Sequence, residues 1–487
     1  MARRSTGIAE AACTVVLLTI YGATMAPSLT WAHHGADGGD LVTAVAQGSI
    51  PHPPGFPTYL LLGSFFVHLP WGNPAWRLNL MSAVLAAAAG GLTALAVRIL
   101  LRSGIHKQMP ATGEQSGYGR AIRNLQSAIY DLQSAICAGL ALGLAPLFWS
   151  QALIAEVYAP AAFFAALAIV LTLRGGPAWA LGLAWGTGMG AHPTLLFLAP
   201  LVAWGLWRDS EGRLRRLAQA GFLALLGWGT MYGPVLLARS REASPWGDVS
   251  TLAGWWALVS ARLYHGYLFG LPLVTWPQRL LAWTNLLIRQ FTPFGAILAG
   301  LGWLHLWRER RSLALASAIT VGSFSLYAIG YDTADSLVYL VPALPVAALW
   351  LGAGARRAAD RLRGRWRPGA WVILMLPLLQ ALLFWGQMDV SDDWKAIEWA
   401  ERILRLAPTR AALLTDQDAH TFTLWYVHDV CGERPDVTIV DQDLWAHRPY
   451  RHLVSAALGL EIPERGLSPE EAAHRAGRPA LRVTDVQ

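Results

Sequence analysis

The chain has 487 residues, of which 54% are apolar and only 14% charged, with 24 Trp, three Cys and a formal net charge of +7. That composition excludes a disordered chain, which needs low hydrophobicity and high charge, and it points away from a purely soluble enzyme, where about 25% of residues are charged. Cys13, Cys137 and Cys431 lie far apart, with neither the number for a disulfide framework nor the spacing of a metal site.

A helix crosses the hydrocarbon layer with about 20 mostly apolar residues. About eleven such runs follow one another, near 10–30, 78–101, 133–150, 158–174, 177–192, 194–207, 217–237, 287–306, 312–330, 337–354 and 369–387. Arg3 and Arg4 before the first run resemble the start of a signal peptide. No small-x-small cleavage site follows, so the run reads as a retained first helix. With the N-terminus in the cytoplasm, the inner loops collect 21 of the 38 Lys and Arg, in clusters such as Arg213–Arg216 and Arg356–Arg367, while the turns near 151–157, 191–193 and 331–336 hold none. This positive-inside pattern fixes the orientation. The expected fold class is an α-helical polytopic membrane protein of about 11 transmembrane helices over residues 1–387, with a small C-terminal α/β extracytoplasmic domain over 388–487. The basic clusters are short and sit beside spans, so they meet lipid headgroups and give no nucleic-acid footprint. The compact Arg- and Ala-rich loops point to a bacterial inner membrane.

Outside the spans, a first outer loop covers 31–77 and a second covers 238–286. The inner loop at 103–131 carries a duplicated stretch, NLQSAI at 124–129 and DLQSAI at 131–136; two copies make neither a coiled coil nor a solenoid. In the tail, 391–408 reads as an amphipathic helix with Ser391 as its N-cap. AALLT (411–415) and VTIVD (437–441) read as strands flanking a helix over 419–432, which implies a parallel α/β unit. Asp416, Asp418, Asp441 and Asp443 follow these strands, where open sheets bind ligands. They read first as helix caps and turn residues.

The chemistry concentrates at the outer turns. Asp37 and Asp40 stand among Gly35, Gly38 and Gly39, an arrangement expected to leave both carboxylates accessible, with Asp40 near a helix N-terminus. Either acid could act as a general base or hold a metal with a phosphate. HPPGFP (52–57) gives a stiff entry to the apolar run 58–69, which contains Tyr59, and His52 serves as a site or turn residue. Glu156 and Tyr158, His192, Trp246 and Asp248, Arg262 and Tyr267, and Asp332 and Asp335 all fall on the same side. Ionisable groups at membrane depth are functional candidates, and Arg77 lies in the first loop.

The run from Asp37 through HPPGFPTYLLLG to WRLNLMSA (76–83) resembles the signature of one family of multispanning proteins, that of the plexin/IPT-domain protein O-mannosyltransferase, within the GT-C class of integral-membrane glycosyltransferases. The likeness continues through WSQALIAEVY, the His192 turn, the PWGD segment, Asp332–Tyr339 and the tail to Asp441. Gly38 and Asp40 stand where the family box has Ser and Glu, and Phe56 where it has Tyr. The resemblance implies a polyprenyl-phosphate hexose as donor, a protein or glycan hydroxyl as acceptor, and Asp37 or Asp40 as the activating acid. It also implies inversion at the anomeric carbon. For the leaving phosphate the candidates are Arg77, Arg262, His52 and His192, and a divalent metal stays an open alternative. The lipid-linked donor needs no nucleotide-binding fold, in keeping with the lack of a Rossmann or P-loop motif. A transporter or flippase of lipid-linked sugars predicts mid-span charges and internal repeats, and a binding module predicts a tail that works alone.

Overall fold

The computed structural model describes residues 7–105, 117–208, 212–239, 244–247, 249–362, 369–461 and 466–485. Asp248 and the basic residues Arg3, Arg4, Lys107, Arg241, Arg363, Arg365 and Arg367 lie outside the described residues. Every expected apolar run is helical over most of its length. Four helices combine the length and hydropathy needed to cross a membrane: Pro74–Ser103, Arg213–Ala238, Arg311–Gly330 and Ser336–Arg361. A fifth joins them if the pair Asn124–Gly143 and Pro146–Ala152, bent by 66°, is one span. Other runs form shorter apolar helices because their chains break. Residues 193–207 start as the 3-10 turn Pro193–Leu198 before Ala199–Trp207, and 369–388 start as Gly369–Leu374 before Met375–Met388. The run expected at 287–306 begins only at Thr292, after the separate helix Trp276–Gln290.

Close helix packing in the bundle depends on small residues. A Cβ on Gly302 would lie 1.8 Å from the Trp350 carbonyl oxygen, and one on Gly354 would lie 1.9 Å from that of Leu298. On the side expected to be cytoplasmic, Arg98 pairs with Glu10 at 2.7 Å and Arg356 with Asp131 at 2.6 Å. Asp131 belongs to the second copy of the duplicated stretch and is buried, whereas the matching Asn124 of the first copy is exposed.

The tail forms a three-stranded parallel sheet in the order β2-β1-β3, from β1 (Ala412–Thr415), β2 (Thr438–Asp441) and β3 (Ala480–Arg482). The third strand was not foreseen. The amphipathic helix starts at Lys395, and Ser391 is not its N-cap. Ser391 instead donates its N–H to Asp389, and the Asp393 carboxylate meets the Lys395 N–H and the Thr30 hydroxyl. The tail shares one core with the first outer loop, since Leu41 and Val45 of the loop helix Gly38–Gln47 are buried in the same cluster as Phe422 and Tyr426. Trp31 Nε1 donates to the Ala419 carbonyl and to Thr423 Oγ1, and Gln47 donates to the Asp429 carbonyl. The loop helix meets the tail helix Asp418–Trp425 so closely that a Cβ on Gly39 would lie 2.2 Å from the Phe422 carbonyl oxygen. Gly39→Ala is therefore expected to destabilise the protein by about 1–3 kcal/mol, the usual cost of overpacking a fitted contact. Gly22→Ala, whose Cβ would meet only open space inside a helix, should leave the midpoint unchanged or raise it. Thermal unfolding of both variants in lipid checks this pair.

Candidate functional site

The first outer loop turns through two successive left-handed residues, His33 and His34, before the loop helix begins. Asp37 is the N-cap residue of that helix, and Asp40 lies in its first turn. The two acids do not share an environment. Asp40 is 3% exposed, so the expectation that the glycines leave both carboxylates accessible is corrected for this one. Gly35 and Gly39 serve close backbone approach instead: a Cβ at 35 would lie 2.5 Å from the Thr30 carbonyl oxygen. The Asp40 carboxylate accepts from the His52 N–H at 2.7 Å, from His52 Nδ1 at 2.7 Å and from Trp246 Nε1 at 3.2 Å. A carboxylate only accepts, so the Nδ1 proton of His52 is fixed and Nε2 turns to Asp37, 3.6 Å away. The Asp37 side chain is 40% exposed and lines a cavity.

That cavity encloses about 580 Å³. From the expected set it is lined by Asp37, His52, Glu156, Tyr158, His192, Tyr267, Asp332 and Asp335. Asp40 stands behind His52, and Trp246 behind Asp40. Tyr59 is fully buried in the helix Pro57–Phe66, and its hydroxyl has no hydrogen-bond partner among the described residues. Arg77 and Arg262 do not line the cavity. Arg77 donates to the Val67 and Trp71 carbonyls, tying the end of one helix to the start of the next, and Arg262 is exposed. The sequence reading singled out neither Phe422 of the tail nor Tyr327 and Tyr331, which line the cavity together with Tyr264, Tyr339 and Asp418. The signal for Asp418 was its place after a parallel strand.

The proline turn supplies part of the wall. Pro53–Pro54 is cis, and Phe56 takes a left-handed φ of 38° before Pro57 opens the next helix. The Phe56 ring stacks on His192 at 5.9 Å between centroids, and Tyr158 and Tyr339 flank the same imidazole at 5.4 and 5.5 Å. His192 Nδ1 accepts the Thr194 N–H, so the ring proton sits on Nε2. Burial, and then the charge of His52, push this imidazole down to about 3, so it is a neutral donor.

Charge in the cavity is unbalanced. No Lys or Arg lines it among the described residues, while Asp37, Glu156, Asp332, Asp335 and Asp418 do. Burial raises the Asp37 carboxyl above its ordinary 3.8 against the lowering pull of His52. Glu156 is driven well above the ordinary range by burial and then by the Asp37 charge. Asp418 is pushed up to about 6 by the same two causes. For His52, burial works downward, but the charge of Asp37 and the bond to Asp40 outweigh it and lift the imidazole to about 9. Among the described residues, no group of three or more His, Cys, Asp or Glu is arranged to hold a metal ion.

A histidine whose folded value lies above its free value of 6.5 contributes stability that is complete below pH 6.5 and lost as the pH rises through about 9. Thermal unfolding of the wild type is therefore expected to weaken across that window. His52→Gln, which lacks the titrating group, should show a flatter profile there.

Residues 37–213 match the family described as the Protein O-mannosyl-transferase TMEM260 N-terminal domain. The chain is 24% identical over 480 residues to Protein O-mannosyl-transferase TMEM260 of Mus musculus, covering 90% of this chain and 63% of that one. It is 21% identical over 502 residues to the protein of the same name from Dictyostelium discoideum, covering 89% and 57%. The chain thus spans about 60% of the length of these curated relatives. In fold it is similar to ArnT from Cupriavidus metallidurans bound to undecaprenyl phosphate, with a TM-score of 0.52 at 14% identity, covering 95% of this chain and 96% of ArnT; apo ArnT also gives 0.52. The chain therefore has a GT-C-like fold and is similar in sequence to the TMEM260 protein O-mannosyl-transferase family.

Proposed function

We propose that this protein is a glycosyltransferase that moves mannose or another hexose from a polyprenyl-phosphate donor to a hydroxyl of a protein or glycan on the outer face of the membrane. In this reading the shorter apolar helices add to the longer ones to make about eleven spans, and the tail and both long loops lie outside the cytoplasm. The observation that carries the reading is the Asp40–His52–Asp37 relay, which ends in one accessible carboxylate on the cavity wall. The matched family segment begins at that Asp37, the two relatives bear the name of protein O-mannosyl-transferases, and ArnT, whose fold is similar, is described with a polyprenyl phosphate bound.

The chemistry follows from the geometry. Asp37 takes the proton of the acceptor hydroxyl as its oxygen attacks the anomeric carbon. His52, held by Asp40, places a positive charge beside the base and keeps it ionised. The bond from the anomeric carbon to the phosphate oxygen breaks on the opposite face of the sugar, which gives inversion. Donors preset for the departing phosphate are the His192 Nε2–H and the phenols of Tyr158, Tyr264 and Tyr339. A phosphate attached to a lipid reaches the cavity from the bilayer, so a basic entrance like that of a soluble nucleotide site is not needed.

Purified protein in lipid, supplied with labelled polyprenyl-phosphate hexoses and hydroxyl acceptors, tests the reading. Asp37→Asn is expected to cut transfer by about 10²–10⁴-fold, the range of a lost general base, while the protein still folds, with the pH dependence of its unfolding flattened between 6.5 and 9 because the charge that lifts His52 is gone. Equal transfer by both proteins would remove Asp37 from the mechanism, and label crossing the bilayer without transfer would favour a flippase. The pH profile of wild-type transfer should rise as Asp37 ionises above its ordinary 3.8 and fall near pH 9 as His52 loses its proton. The two limbs belong to the coupled pair.

A further inference from the structure

The helix Arg311–Gly330 runs from one end of the bundle to the other. Its last turn leads into Tyr331 on the wall of the Asp37 cavity. Its 20 residues rise about 30 Å, the thickness of the hydrocarbon layer. At its first turn lies a second cavity, of about 370 Å³, where the helices Pro74–Ile105, Ala199–Trp207, Thr292–Glu309 and Leu344–Leu362 finish.

Three arginines and three acids line this cavity, but they are not matched one to one. Arg356 takes two of the acids: its Nε meets Asp131 at 2.6 Å, and its Nη1 meets Asp360. The third acid, Glu309, is exposed. Arg208 gives Nη1 to the Leu173 carbonyl. Arg310 is partly buried and gives Nη1 to the Ser103 hydroxyl at 2.7 Å. Among the described residues no carboxylate stands within ion-pair distance of Arg310, and its Nε and Nη2 have no hydrogen-bond partner. Burial, and then the charge of Arg208, lower this guanidinium from its ordinary 12.5 against the opposing pull of Glu309. A partly desolvated cation beside another cation is costly unless an anion joins them. The planar fork of arginine suits the two oxygens of a phosphate.

The surroundings say which phosphate. Arg208 lies over the Trp204 ring at 5.5 Å, Arg213 over Trp207 at 5.1 Å and Arg311 over Trp307 at 4.9 Å. Indoles stacked with arginines mark the level where acyl chains give way to headgroups. Leu101, Trp204 and Leu306 add apolar wall beside the arginines. A basic pocket between helices at that depth fits the head of an anionic lipid. We infer that this cavity holds the phosphate of an anionic phospholipid, forked on Arg310 with Arg208 beside it, and with the glycerol and first chain carbons against Leu101 and Trp204. A diffuse attraction of basic loops to a charged surface needs no particular guanidinium, whereas this site depends on Arg310. It requires the helix Arg311–Gly330 to cross the membrane and is independent of sugar transfer.

Native mass spectrometry of the full-length protein in detergent, titrated with dioleoyl phosphatidylglycerol, gives Kd for the first lipid retained. Arg310→Gln should weaken it about tenfold, the worth of a hydrogen bond to a charged group. Arg213→Gln, a basic neighbour that does not line the cavity, should change it less than about twofold, as an exposed charge does. Glu309→Gln removes the acid beside Arg310 and should tighten binding about threefold, a gain that misfolding cannot mimic. Equal Kd for wild type and Arg310→Gln, or equal loss in Arg310→Gln and Arg213→Gln, would overturn the site in favour of diffuse attraction. If Arg310→Gln does not fold, unchanged or weaker binding by Glu309→Gln would overturn it alone. Glycerol phosphate carries the same group without chains and should displace the lipid only at more than about a hundredfold excess, since the chains add apolar burial. Displacement at equal concentration would overturn the lipid as occupant and leave a soluble phosphate in its place.

Discussion

The arrangement turns on one buried carboxylate. Asp40 lies on the loop helix, and its three hydrogen bonds reach the backbone and ring of His52 in the proline turn and the indole of Trp246 in the second loop, 206 residues away. Burying a charge is tolerable only when its lone pairs are met by donors, so these three segments are held in one geometry. The same requirement separates two acids three residues apart into different tasks. Asp40 is enclosed and orients, while Asp37 at the helix start is open to the cavity.

The arginines around the site are used in another way. Arg239 donates to the carbonyls of Ala44, Ser49 and Leu60, fastening the end of the loop helix to the following turn and helix. Arg279 donates to the Tyr331 and Thr333 carbonyls and the Ser336 hydroxyl, shaping the segment that carries Asp332 and Asp335. Each planar guanidinium satisfies several carbonyls that an irregular loop leaves unpaired. These cations thus build walls and do not face the cavity. His52 is left as the positive group among its acids, which is why its protonation matters so much to the site.

Much of this was legible in the sequence because it is local. The acid pair, the HPPGFP turn and the outer turns with Glu156, His192 and Asp335 are short motifs whose residues converge once the spans between them pack. Other features depend on partners distant along the chain. Nothing near Asp40 announces Trp246, so the burial of one acid of the pair could not be read, and the flanking glycines suggested the opposite. Asp418 looked like a helix-start residue, which it is, and only the docking of its helix on Gly39 brings it to the cavity. The strand Ala480–Arg482 is three residues long and partly exposed, too short to show alternation, and it exists because β1 has a second side to pair. Asp131 lies in the duplicated stretch. Its second copy supplies the buried partner of Arg356, so the copies differ in what they meet more than in what they spell.

The joint between Gly39 and the Phe422 backbone also sets an order of events during biosynthesis. The loop that carries Asp37 is made early, but the indole of Trp31 waits for Ala419, 388 residues later in the chain, and Asp40 waits for Trp246. Until the tail has folded, the cavity at Asp37 lacks the part of its wall that Asp418 and Phe422 supply. A nascent chain would thus hold the Asp37 carboxylate without those surroundings, and the tail acts as the part that completes the cavity.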